Sequence, residues 1–288
     1  MNKVLVLAAA LLAWTDADAA RTPPKPKRVM SLNVCTDQLV LQLLPKERIS
    51  SIYYLSRASG YTYLTAKAFA VPVSYGTPEE VLRDNPDLVI AGSMSTPAVR
   101  ALVKRVNVPL VEVPAANSFA EIRMVTRMIA RAVGEHDAGE ALIARMDATL
   151  AELAASAPEK KIVVAVWDGA GNVPAKGTLF DEILTVAGGI NVVAGIETSI
   201  VYGRYNAFDL EQLVAKAPDV IAYGASRLGQ LTLASQQLQH PVVRKLYAGR
   251  AITYPETLYN CGLPQSADAA RDLRAAMLKA VSGTASAP

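Results

Sequence analysis

Glu79-Glu80-Val81-Leu82-Arg83-Asp84-Asn85-Pro86-Asp87-Leu88-Val89-Ile90-Ala91-Gly92 returns downstream as Glu211-Gln212-Leu213-Val214-Ala215-Lys216-Ala217-Pro218-Asp219-Val220-Ile221-Ala222-Tyr223-Gly224. In each copy an acidic residue opens a short helix, a Pro-Asp pair breaks it, and a β-branched run follows as a buried strand. The copies lie more than a hundred residues apart, whereas a solenoid repeat recurs about every 20 to 50 residues. The duplication therefore predicts two similar α/β lobes with a cleft between them.

Arg28 to Leu32 is expected to be the first strand, and Thr36 to Leu44 a helix with Asn33 or Thr36 as its cap. Strands follow at Ile49–Tyr54, Pro86–Gly92 and Pro109–Val113, with helices at Val99–Val106 and at Ser118–Val133, the latter opened by a Ser-x-x-Glu capping box. This alternation predicts a mostly parallel sheet covered on both faces. From Glu135 to Ala157, apolar residues recur at helical spacing without an internal proline, and Lys161 to Trp167 then starts a second strand-helix series. The expected organisation is an N-terminal lobe at 28–134, a long interlobe helix at 135–158 and a C-terminal lobe at 159–283. Another surface helix of a single domain is the alternative reading of that helix.

A chain of 288 residues, 51% hydrophobic and 19% charged, is long enough for two medium cores. A formal charge of +3 and the lack of a basic cluster with interleaved aromatics argue against a nucleic-acid partner. Lys3 precedes an apolar run from Val4 to Trp14, and Ala17-Asp18-Ala19 follows as a small-x-small cleavage site. Residues 1–19 thus read as a cleaved signal peptide, with a run too short to span a bilayer. An uncleaved anchor is the alternative. The mature chain is expected in a periplasm, as a monomer.

The opening Arg28-Val29-Met30-Ser31-Leu32-Asn33-Val34-Cys35-Thr36-Asp37-Gln38, the two copies and the long helix between them resemble the periplasmic binding proteins of metal-chelate importers. The resemblance covers roughly Lys27 to Val281. It implies two lobes joined by one long helix, no catalysis, and capture of a corrinoid, a ferric siderophore or haem for an inner-membrane ATP-binding-cassette permease. It also implies that Glu79 and Glu211 dock onto permease arginines. Two carboxylates held apart on a rigid body fix orientation as well as attraction, although each acid also suits the positive end of its own helix.

Ligands of open α/β sheets bind beyond the strand ends. The candidates are Asn33, Cys35, Tyr53, Tyr54 and Tyr75 in the first lobe, and Trp167, Tyr202, Arg204, Tyr205, Tyr259 and Asn260 in the second. By the resemblance, Tyr205 falls where the cobalamin-binding member presents an aromatic ring. Aromatic rings bury area while keeping a polar edge, which suits a large flat chelate. Arg57 and Arg204 are candidates for pairing with anionic ligand groups, as are the helix starts near Thr36 and Thr178. Cys35 and Cys261 form either a disulfide across the cleft or two free thiols facing it.

Two histidines in the whole chain argue against capture of bare zinc or manganese ions. A periplasmic enzyme is the rival from another class. No Gly-x-Ser-x-Gly elbow occurs, and Gly169-Ala170-Gly171 lacks the third glycine of a dinucleotide loop. Asp37 and Asp168 are the acid and base candidates for such an enzyme, and their ordinary role is capping. No cofactor is expected.

Overall fold

The structure, a computed structural model, describes residues 24–92, 95–167, 172–193, 205–225 and 233–283. The first lobe is built from β1 (Val29–Ser31), α1 (Val34–Leu43), β2 (Ile49–Tyr53), α2 (Thr65–Phe69), β3 (Val73–Ser74), α3 (Pro78–Asp84), β4 (Leu88–Gly92), α4 (Pro97–Arg105), β5 (Leu110–Val113) and α5 (Phe119–Ala132). Its strands form one parallel sheet of order β3-β2-β1-β4-β5. α6 (His136–Ala155) then joins the first lobe to the second.

The second lobe contains β6 (Ile162–Val166), β7 (Asn172–Pro174), α7 (Leu179–Val186), β8 (Gly189–Asn191), β9 (Tyr205–Ala207), α8 (Leu210–Lys216), β10 (Val220–Gly224), α9 (Leu233–Leu238), α10 (Pro241–Leu246), β11 (Ala251–Tyr254) and α11 (Ser266–Ser282). Its main sheet is parallel, of order β11-β10-β6-β8, and β7 pairs antiparallel with β9. Alternation sorts the side chains. Val164, Val166, Val220 and Ala222 pack with α7 and α11, while Ala165, Trp167 and Ile221 pack on the opposite face with Leu213, Val243 and Tyr247.

The duplicated sequence is duplicated structure. α3 with β4, and α8 with β10, each begin with a reciprocal capping box, Thr77 with Glu80 and Asp209 with Gln212. Each helix ends on a left-handed residue before the proline, Asn85 at φ 41° and Ala217 at φ 41°. The aspartate of each Pro-Asp pair then ties down the neighbouring strand. Asp87 accepts from the backbone N–H groups of Lys27 and Arg28, and Asp219 accepts from that of Val163.

The left-handed cap is well served by Asn85 and poorly by Ala217, because a Cβ without a local polar partner disfavours positive φ. Ala217→Asn, which copies the first lobe's solution, is expected to stabilise the protein by about 0.5–1 kcal/mol. Thermal denaturation would show a rise in Tm of about 2 °C, and an unchanged or lower Tm would contradict the assignment of strain.

Candidate functional site

The C-terminal edges of the two parallel sheets face each other, and a cavity of about 1040 Å³ lies between them. The first lobe contributes Asn33 beyond β1, Gly92 at the end of β4, Val113 at the end of β5, and Asn117 before α5. The second lobe contributes Val166, Gly224 and Tyr254 at strand ends and Phe180 in the first turn of α7. Val125 and Ile129 of α5 form an apolar floor.

One wall is aromatic. Phe180 stacks on Tyr259 with ring centroids 4.7 Å apart, and Tyr254 meets both rings, also at 4.7 Å. Tyr259 donates its hydroxyl to the carbonyl of Ala269 at 3.1 Å, and burial pushes its phenol pKa up, so its ring rather than its hydroxyl is available. At the rim, Tyr61 is 43% exposed. Such a surface offers apolar area with a few polar edges.

A second connection crosses the cavity. Beyond β11 the chain reaches into the first lobe, where Cys261 and Leu263 join the core around Leu39 and Val40. Cys35, in the first turn of α1, is disulfide-bonded to Cys261, with Cα atoms 5.2 Å apart. Asn260 donates to the carbonyl of Gly60 at 3.4 Å, and Gln265 donates to Gln42 at 2.7 Å. This strap and α6 together link the lobes.

Of the candidates read from sequence, the cavity gathers Asn33, Cys35, Tyr259, Asn260 and Cys261. Trp167 is not among them. Its side chain continues the β6 alternation into the core, fully buried, with Nε1 donating to the carbonyl of Phe208 at 2.9 Å. Arg57 also has a structural role, as its guanidinium donates to the carbonyls of Ala68 and Val71 and lies over the Phe69 ring.

Tyr53, Tyr54 and Tyr75 form a ladder with centroids 4.9 and 4.7 Å apart, on the same sheet edge but outside the cavity lining. The backbone of Tyr205 pairs with Pro174, itself a lining residue, whereas Tyr202, Arg204 and Asp168 lie outside the described residues, as do the signal peptide and its cleavage site. Phe180, Tyr254, Glu256, Asn117 and Tyr61 were missed. Tyr254 is the last residue of a strand, so the strand-end rule that selected Tyr259 had the means to find it.

The two helix starts expected to receive anions are already served. Asn33 caps α1 by accepting from the N–H of Cys35, and Thr178 caps α7 by accepting from that of Asp181. The first turn of α7 also carries Asp181 and Glu182, which oppose a further negative charge there.

Residues 39–252 match the family model described as a periplasmic binding protein. The chain belongs to the periplasmic binding protein family. Among solved structures, it resembles the haem-binding protein RhuT of Roseiflexus sp. RS-1 in apo form at 23% identity and TM-score 0.71, over 88% of this chain and 99% of that one. It resembles the vitamin B12 binding protein BtuF of Vibrio cholerae at 16% identity and TM-score 0.67, over 89% and 98%. It also resembles the haem-binding protein BhuT in complex with two haems at 22% identity and TM-score 0.69, over 88% and 99%. Comparison with curated proteins gives no match.

In this periplasmic binding protein the acid beneath the cavity wall is Asp37. It is fully buried, and its Oδ2 accepts from the N–H of Tyr53 at 2.9 Å and the hydroxyl of Ser56 at 2.6 Å. Burial dominates these hydrogen bonds and pushes its pKa up to about 8. The folded state therefore holds a proton that the unfolded chain releases at ordinary carboxylate pH. The resulting stabilisation is complete below the unfolded pKa and is lost as pH rises to about 8. In that window stability should fall by up to about 1.4 kcal/mol per pH unit, and Asp37→Asn should flatten the slope. Melting curves at pH 4.5 to 8.5, values on the order of this window, check the prediction, and equal slopes for both proteins would refute it.

Proposed function

We propose that this protein is the substrate-binding component of an ABC importer, capturing a metal chelate in the interlobe cavity and handing it to an inner-membrane permease without chemistry. The observation that carries this reading is the cavity of about 1040 Å³ between opposed sheet edges, with one wall of three contacting rings. A volume at the upper end of ordinary ligand sites suits a large ring compound rather than an ion or an amino acid. The family supports a carrier, and solved structures named for haem and vitamin B12 share its fold. The rival reading as an enzyme loses Asp37, which is fully buried and not among the lining residues.

Charge narrows the chelate. Among the described lining residues there is no lysine, arginine or histidine, and the only acid is Glu256. Against these described residues a polyanionic ferric siderophore or the propionates of haem would find no cationic partner, whereas the peripheral amides of a corrinoid suit Asn33, Asn117 and Asn260. Calorimetric titration with cyanocobalamin, a ferric siderophore mixture and haemin tests the reading. Submicromolar, one-to-one binding of cyanocobalamin, a threshold on the order of 8 kcal/mol, is the expected result. Binding of the siderophores alone would reject the corrinoid, and no binding of any of the three would reject the chelate.

A further inference from the structure

The glycines that close the duplicated segments, Gly92 and Gly224, both line the cavity, and each is a notch for a polar side chain. A Cβ on Gly92 would lie 2.5 Å from Cγ of Asn33, and one on Gly224 would lie 2.0 Å from a carboxylate oxygen of Glu256. Asn33 stands two residues beyond β1, the partner strand of β4, and Glu256 stands two residues beyond β11, the partner strand of β10. The same position of the duplicated unit thus lets one polar group from each lobe lie flat across a sheet edge into the cavity.

We infer that Asn33 and Glu256 are the two directed polar contacts that orient the ligand between the lobes, and that Gly92 and Gly224 are the positioning residues that seat them. Aromatic area attracts a large chelate without fixing its rotation, whereas one hydrogen-bonding group on each wall fixes it. An ionised carboxylate can only accept, so the ligand that Glu256 recognises presents N–H or O–H donors on that side, such as peripheral amides. Asn33 both donates and accepts, but its Oδ1 is held by the N–H of Cys35 at 2.9 Å, so its amide N–H₂ is the group available to a ligand carbonyl. The site therefore reads a donor on one side and an acceptor on the other. This inference rests on the chelate reading above.

The test is calorimetric titration of cyanocobalamin, ferric siderophores and haemin into the intact mature protein and into Glu256→Ala, Gly224→Ala, the double variant, and Asn33→Ser, which keeps a capping hydroxyl on α1. Glu256→Ala and Asn33→Ser are each expected to weaken binding about tenfold. Gly224→Ala, whose Cβ would meet the Glu256 side chain from Cγ to the carboxylate, should weaken it as much as Glu256→Ala. The double variant should be no weaker than Glu256→Ala, because the methyl group then has nothing to displace.

Melting temperatures measured in parallel separate loss of fold from loss of contact, and if Gly224→Ala does not fold, the two side-chain variants decide the matter. Unchanged affinity in Glu256→Ala and Asn33→Ser, or additive losses in the double variant, would overturn the assignment and leave the chelate reading intact. If the unaltered protein binds none of the three probes, the chelate reading falls and this assignment falls with it.

Discussion

Arg274→Met should destabilise the protein by about 3–5 kcal/mol, since several buried carbonyls each lose a charge-assisted hydrogen bond worth about 1.5–3 kcal/mol, and lower Tm by about 10 °C. Arg274 lies on α11 with only 7% of its surface exposed. Its Nε donates to the carbonyl of Ala187 at 2.9 Å, and Nη2 donates to that of Val186 at 2.8 Å. Nη1 donates to the carbonyls of Leu153 and Ser156 at 2.7 and 3.2 Å and to the Ser156 hydroxyl at 3.1 Å.

These acceptors sit at the C-terminal ends of α6 and α7, where backbone carbonyls lack intrahelical partners and the helix dipole favours a cation. One guanidinium thus closes two helices and pins them to a third. Desolvation lowers its pKa, but an arginine starting so high stays charged. Methionine fills similar space and leaves those carbonyls unpaired in the interior. Lysine keeps the charge but lacks the planar fork, so Arg274→Lys should recover only part of the loss. Urea denaturation of the three proteins measures this, and a loss below ~1 kcal/mol for the methionine variant would show that water takes over the carbonyls.

Reversing both repeated acids, Glu79→Lys with Glu211→Lys, is expected to abolish uptake into cells while leaving ligand affinity unchanged. Both residues are exposed in the first turn of equivalent helices, and neither has a hydrogen-bond or ion-pair partner among the described residues. Capping is carried by Glu80 and Gln212 instead, so the cost to each helix is limited to the dipole effect of about 0.3–1 kcal/mol. We propose that the two charges are recognised by a basic partner surface. Uptake of labelled cobalamin in cells, compared with calorimetry on the purified variant, separates docking from capture. A parallel loss of affinity would remove both residues from the docking role, as would normal uptake.

The fold was legible because its main signals are local. The Pro-Asp pair of each copy, the capping box at Ser118 and the unbroken helix around Ile143 and Met146 are each written within a few residues. The two-residue strand Val73–Ser74 escaped, since it is too short to carry a period. The site was legible only where strand ends alone decided it, as for Asn33, Tyr259 and Asn260.

Elsewhere the answer depended on direction. Trp167 follows a strand, but the alternation from Ala165 turns it into the core, and Arg57 is taken up by carbonyls of its own loop. Phe180 and Glu256 reach the cavity because of packing against Tyr259 and Gly224, partners distant in sequence or strand. No window of neighbouring residues encodes such pairings. The choice between thiols and a disulfide was open for the same reason, with Cys35 and Cys261 separated by 226 residues.

The strap carrying Cys261 and Leu263 has a consequence for the order of assembly. The first lobe is synthesised first, yet part of its hydrophobic interior arrives only with residues near the end of the chain. Until Leu263 is delivered, the surface around Leu39 and Val40 lies open, and that lobe has an incomplete core of its own. Nascent chains lacking the last part of the sequence should stay extensible and recognisable to chaperones. Closure of the Cys35–Cys261 bond marks the moment when both halves are present.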